Sequence, residues 1–306
     1  MNRKDKHILV VAAAIAVIVL LAASICRYPH PANAERNEPY AEQPTNAERN
    51  EPYAEQPTNA ERNEPYAEQP TVCGDNPADS FELPHHDDSS EQVIYHAAYT
   101  VGYNPTYHLP NWVAYSLEGN EVDGDFSRTN TFLPDPLVAG DPVVTQDYTG
   151  SGYDRGHMAP AADMKWSEQA MKESFYMTNI CPQNHNNNAG DWKDLEELVR
   201  DVARKYGNTY ICVGPIVSDT SVMIGHLRRI VVPQAFYKVL LRQKTDGTWT
   251  SIGFIMPNEP GNRPLMSYMV SVNDVESIAG IDFFPNLPDT VEEAVESHFE
   301  VADWTI

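Results

Sequence analysis

Hydrophobic positions fall into three regimes along the chain. Residues 8–25 form one uncharged, apolar run, preceded by Arg3, Lys4 and Lys6. Residues 33–71 have no apolar period: the unit NAERNEPYAEQPT occurs three times unchanged, at 33–45, 46–58 and 59–71. Beyond residue 92 the pattern becomes that of a folded domain. Short runs rich in β-branched and aromatic residues predict strands at 92–100, 112–117, 209–213, 230–241, 249–256 and 267–272. Thr245-Asp246-Gly247-Thr248, between two such runs, reads as a hairpin turn. Helical patterns cover 167–175, 192–205, 272–279 and 290–296. In the second of these, Trp192, Leu195, Val199 and Val202 make one core-facing stripe. Grouped strands interrupted by a few helices predict an α+β fold, with a largely antiparallel central sheet flanked by helices.

These regimes set the domain organisation. A chain of 306 residues admits two domains on length alone. The repeat, with two prolines, one tyrosine and three acids against one arginine per copy, lacks the apolar area to offset its ordering entropy. The expectation is a signal peptide or membrane anchor over 1–34, a disordered acidic linker over 35–71, a further linker over 72–91, and one folded domain over 92–306. The apolar run exceeds the usual signal core of about 7–15 residues, which favours an anchor, whereas Ala32-Asn33-Ala34 resembles a cleavage site. Both alternatives predict an extracytoplasmic protein, secreted, periplasmic or tethered to the membrane through residues 8–25. Cys73, Cys181 and Cys212 allow at most one internal disulfide, and no C-x-x-C spacing suggests structural zinc. His85-His86-Asp87-Asp88 reads as solvated linker rather than a metal cluster, since adjacent loop residues rarely converge on one ion.

Apolar residues at 42% and aromatics at 10% exclude a wholly disordered chain. Charge complicates the choice of partner. Residues 1–71 carry 7 basic and 10 acidic residues, so −20 of the formal −23 falls on the remainder. Taken alone, this argues against nucleic acid, because phosphate binding draws on Lys and Arg.

Three stretches carry chemistry. Asp154-Arg155-Gly156-His157-Met158-Ala159-Pro160 places an arginine and a histidine in a turn-like context. An imidazole near its ordinary pKa can serve as a base, and a guanidinium can hold phosphate oxygens. Residues 178–190 hold five asparagines, neutral oxygen ligands for a hard cation and equally good turn and cap residues. In the helix that follows, Glu196 and Arg200 stand at i, i+4, the spacing of an ordinary solvated ion pair. On a continuous helix Asn188 and Glu196 would share a side yet lie about 12 Å apart along the axis. Either Asn188 precedes the helix, or Glu196 acts through a metal-bound water.

The ordered set of motifs resembles the DNA/RNA non-specific endonucleases, the ββα-metal nucleases of the Serratia nuclease and endonuclease G type. The signature D-R-G-H-x-A-P stands at 154–160. Asn179 follows His157 by 22 residues, ahead of Pro182-Gln183. Asn188, Trp192, Leu195, Glu196 and Arg200 match the family helix N-x-x-x-W-x-x-L-E-x-x-x-R. Asn111-Trp112-Val113-Ala114-Tyr115, Arg128, Val213-Gly214-Pro215, Val232-Pro233, Phe236-Tyr237-Lys238 and Pro257-Asn258 complete the likeness. The resemblance implies a ββα-metal site that cuts DNA and RNA through backbone contacts. It makes His157 the general base and Asn188 the ligand of Mg²⁺ or another divalent ion such as Mn²⁺. Arg128 and Arg155 neutralise charge on phosphorus, Glu196 positions a metal-bound water, Asn179 shapes the site and Arg200 assists electrostatically. A decayed, non-catalytic domain and a phosphodiesterase for small substrates remain the competing readings, and the oligomeric state is left open.

Overall fold

A seven-stranded, wholly antiparallel sheet organises residues 80–306, the residues that the computed structural model describes. The chain divides into two units, Met1–Gln69 and Pro70–Ile306, and the described residues lie in the second. Expectations for the apolar run, the repeat and Cys73 lie outside the described residues.

The strands are β1 (Gln92–Tyr95), β2 (Thr100–Asn104), β3 (Leu109–Leu117), β4 (Asp154–His157), β5 (Ile180–Gln183), β6 (Thr209–Ile216), β7 (Met223–Ile224), β8 (Ile230–Val231), β9 (Ala235–Gln243), β10 (Trp249–Pro257) and β11 (Met269–Val270). The helices are α1 (Gly119–Val122), α2 (Glu168–Glu173), α3 (His185–Ala189), α4 (Asp191–Tyr206), α5 (Val272–Ala279) and α6 (Asp289–Glu296). The main sheet runs β1-β2-β3-β6-β9-β10-β11, and β4-β5 and β7-β8 form separate two-stranded ribbons.

Both faces of the main sheet are covered. On one face Val113, Ile211, Phe236 and Leu240 pack with Trp192, Leu195, Val199 and Val202 of α4, the stripe read from the sequence. On the other, Trp112, Ala114, Tyr237, Val239 and Leu241 pack with Val272 and Val275 of α5, with Val295 of α6, and with Phe283 and Phe284 between the two helices. Cover on both sides explains why β9 reads as a nearly unbroken apolar run, a pattern more usual in parallel sheets. Two buried charged residues interrupt β9, Arg242 near its end and Lys238, which lies fully buried on the α4 face, its Nζ 4.9 Å from the Trp192 ring centroid.

The α+β, mainly antiparallel expectation holds, with local differences. Segment 92–100 is two strands of a hairpin, closed by the His96 N–H donating to the Tyr99 carbonyl at 2.9 Å. Segment 230–241 breaks around Pro233, whose missing N–H cannot extend a ladder. Segment 267–272 shrinks to β11 beside a 3-10 turn, Leu265–Tyr268. Strands β4 and β5 escape the apolar pattern because they are short and contain Gly156 and Pro182. Residues 80–91, expected as linker, pack onto the domain: the Phe81 ring sits 5.3 Å from Tyr210 and 4.9 Å from Trp249. The His85-His86 pair does not converge on one point. His85 faces Asp87 at 3.2 Å, and His86 faces Glu91 at 2.7 Å. Cys181 and Cys212 are free, buried thiols.

Candidate active site

The ribbon β4-β5 and the two helices after it build the site. Arg155 pairs with Pro182, Gly156 with Cys181 and His157 with Ile180. A Cβ at Gly156 would run into the Gln183 side chain, so only glycine lets the two strands approach this closely. Asn179 locks the turn after His157: its Oδ1 accepts from the Ala159 N–H at 2.9 Å. Its Nδ2 donates to the carbonyls of Ala159 and Ser174 at 2.9 and 2.8 Å. Fully buried and fully bonded, Asn179 holds backbone rather than facing a cleft.

Helices α3 and α4 are separate, broken at Gly190 (φ −112°, ψ −114°). Asn188 therefore stands before the long helix, and the 12 Å separation expected along a continuous axis does not apply. Asn184 caps α3, accepting from the Asn186 and Asn187 N–H groups. Asn187 accepts from Gln183 and donates to the Pro257 carbonyl. Asn258 fixes the entry to α3 by accepting from the Asn184 N–H at 2.7 Å. Among the five asparagines, Asn188 faces the cleft. Its Nδ2 donates to Asp154 Oδ2 at 2.9 Å, which also contacts His185 Nδ1 at 2.9 Å, and its Oδ1 has no hydrogen bond among the described residues. The cleft, about 250 Å³, is lined by Phe132, Tyr148, Tyr153, Asp154, Arg155 and Asn188 among others.

His157 is 8% exposed and its Nε2 has no hydrogen-bond partner. Its ring lies edge-on to Phe175 at 5.0 Å and beside Phe132 at 5.4 Å. Burial, reinforced by the charges of Arg128 and Arg155, holds its pKa down at about 3, so the imidazole is neutral at physiological pH. Arg128 stacks over Phe175 at 5.2 Å and Arg155 over Phe132 at 4.5 Å. Among the described residues neither arginine has a carboxylate partner; Arg128 Nε donates to Asn130 Oδ1 at 2.7 Å.

The α4 side chains divide. Glu196 has no hydrogen bond among the described residues, and burial pushes its carboxyl up to about 7 against the pull of Lys238, Arg200 and Arg128. Arg128 thus acts on both His157 and Glu196, which places the three in one electrostatic neighbourhood. Arg200, by contrast, makes no ion pair with Glu196. It donates to Asp163 Oδ1 at 3.0 Å, while Asp163 Oδ2 accepts from the Tyr115 hydroxyl at 2.9 Å. The donor set suits a hard divalent ion: an unengaged amide oxygen on Asn188, a half-buried carboxylate on Glu196 without a partner, and no competing thiolate.

Sequence reasoning missed Phe132 and Phe175, which carry the arginines, and Asp154, which orients Asn188. Asp154 heads the quoted signature and was visible there. The two phenylalanines lie in apolar surroundings that announce nothing.

A buried neutral imidazole, two arginines without carboxylate partners among the described residues and a set of oxygen donors thus stand on a β-ribbon followed by a helix. The chain belongs to the DNA/RNA non-specific endonuclease family, whose profile matches residues 76–290. It is 36% identical over 227 residues to "Nuclease EXOG, mitochondrial" of Xenopus laevis, covering 69% of this chain and 63% of that relative. It is 32% identical over 209 residues to "Endonuclease G, mitochondrial" of Bos taurus, covering 64% and 70%. The crystal structure of an EndoG/EndoGI complex is similar at a TM-score of 0.60 and 29% identity, covering 64% of this chain and 87% of that one. This chain spans just under two thirds of the length of the first EXOG relatives, at 63% and 64%.

These relatives overturn one expectation. The extracytoplasmic destination read from residues 8–25 does not agree with them: those from Xenopus laevis, Bos taurus and Schizosaccharomyces pombe bear mitochondrial names. Their names lend no support to secretion or to a signal peptide. Among the described residues no helix is long and apolar enough to cross a membrane.

Proposed function

We propose that the chain is a divalent-metal-dependent endonuclease that hydrolyses phosphodiester bonds of DNA and RNA with little regard for sequence. The observation that carries this reading is the pair of carboxylate-free arginines whose charges act on His157, the residue with an unpartnered Nε2. Arg128 and Arg155 grip the non-bridging oxygens of one phosphate and neutralise charge as phosphorus becomes five-coordinate. His157, neutral before substrate arrives, accepts a proton at Nε2 from the attacking water. Phosphate bound to the arginines offsets the positive field that helps to depress the imidazole, so its basicity rises when a substrate is present.

Asn188 would hold the metal through Oδ1, kept in position by Asp154, and Glu196 would orient water beside it. Such an ion, with Mg²⁺ as our reading, supplies Lewis-acid stabilisation of the leaving oxygen. Asn179 positions the His157 turn and does not touch substrate. Arg200 works through Asp163, holding α4 against the site. The catalytic body spans 92–306 together with the packed segment from Ser80, and its substrate contacts run to backbone phosphates.

Digestion of plasmid DNA and single-stranded RNA by the purified full chain tests this reading, with Mg²⁺ and with EDTA. Both substrates should be cut internally with the metal and spared by the chelator. His157→Ala should lose the cutting while keeping its near-UV circular dichroism. Cutting by that variant at the parent rate, or by the parent in EDTA, would sink the reading. Hydrolysis of a small phosphodiester alone would favour the small-substrate alternative.

A further inference from the structure

A second group of carboxylates lies on the α5–α6 side of the main sheet, away from the layer that carries α4. Glu276, Asp282 and Glu296 each present an oxygen within 4.8 Å of the others. Glu296 is only 5% exposed, and its Oε1 is buried with no hydrogen-bond partner. The charged groups acting on it are all acidic, namely Glu276, Glu292 and Asp282. Glu276 accepts from the Phe283 N–H at 2.9 Å through one oxygen. Asp282 is exposed, and its backbone pairs with His85 in an antiparallel bridge.

Helix polarity sharpens the anomaly. Glu276 and Glu296 stand in the last turns of α5 and α6, where the helix dipole favours cations, and neither last turn contains a basic residue. Buried like charges with no counter-charge must take up protons or a cation. Burial, helped by the neighbouring acids, raises Glu276 to about 7 and Glu296 to about 9, the behaviour of carboxylates lacking a positive partner.

We propose that Glu276, Asp282 and Glu296 bind one calcium-class divalent cation that fastens the end of α5 to the end of α6. An all-oxygen set with irregular spacing suits Ca²⁺, which accepts six to eight oxygens in flexible geometry, better than Mg²⁺, which demands a near-ideal octahedron. Water reaching the exposed Asp282 completes the shell. The ion is structural: it clamps the helices that cover Tyr237, Val239 and Phe283, and it does not depend on the Asn188 site.

Calcium titrations of the full-length Asn188→Ala chain keep the two sites apart, read by calorimetry and by thermal unfolding slightly above neutral pH. One ion per chain should bind and raise Tm saturably. Adding Glu296→Gln should abolish that ion and its Tm shift. Adding Asp282→Asn should weaken binding about tenfold, and this exposed position carries the test should the glutamine variant fail to fold. The proposal falls if Asn188→Ala shows no calcium-dependent Tm shift, or if the shift survives both substitutions. It also falls if Glu296→Gln stabilises a chain that ignores calcium, because the cluster then only shares protons. None of these outcomes depends on nuclease activity.

Discussion

At the residue scale, His157 couples chemistry to stability. Its folded pKa of about 3 lies below the unfolded value near 6.5. Protonation therefore favours the unfolded chain: this contribution to stability is complete above pH 6.5 and is lost as pH falls towards 3. His157→Phe removes the titration, so its Tm should fall less steeply than the parent's between pH 6.5 and 4, as thermal melts across that range would reveal. Arg128 touches the same group. Arg128→Ala should lower kcat/KM by about 10²-fold and raise the pKa of His157, measurable by NMR titration of the imidazole. Arg128→Lys should recover little of the rate, because an ammonium lacks the planar face that stacks on Phe175.

At the element scale, the break between α3 and α4 decides whether Asn188 reaches the cleft. A side chain at Gly190 would collide with the Asn186 carbonyl. Gly190→Ala should therefore cost about 10²-fold in activity with little change in far-UV circular dichroism, since only a short junction is displaced. Leu195→Ala, in the fully buried α4 stripe, should destabilise by about 2–5 kcal/mol, measured by urea unfolding. The stripe was legible because a four-turn amphipathic helix repeats its signal. The central strands were legible through their β-branched and aromatic content. By contrast, β4 and β5 were not, because four residues paired through Gly156 and Pro182 carry no period. The site residues were legible as a motif, but their division of labour was not. Asn179 and Arg200 look equivalent to Asn188 and Glu196 in sequence. Only three-dimensional partners, two carbonyls for Asn179 and Asp163 for Arg200, separate bracing from contact.

For the whole molecule, the acidic balance is compatible with the proposed phosphate-gripping site because positive charge there is local. Residues 72–306 carry −20 in formal charge, yet Arg128 and Arg155 stand together without carboxylate partners among the described residues. Few phosphate contacts mean weak long-range steering and a shallow salt dependence. Binding of duplex DNA to His157→Ala should follow log–log salt slopes of about −2, and adding Arg128→Ala should make the slope shallower by about 1. A slope several times steeper, read by fluorescence anisotropy, would mean that a larger basic surface takes part.

The mounting of those arginines on Phe175 and Phe132 bears on substrate range. A carboxylate fork fixes a guanidinium in one plane, whereas an aromatic face holds it with little directional preference. Arg155 can then swivel on its ring without losing its support, whereas Arg128 is also tied through Nε to Asn130 Oδ1 at 2.7 Å. On the proposed reading, one fixed and one pivoting guanidinium would follow a phosphate whether the sugar beside it is puckered as in A-form or B-form helices, so the same pair would serve ribose and deoxyribose strands alike.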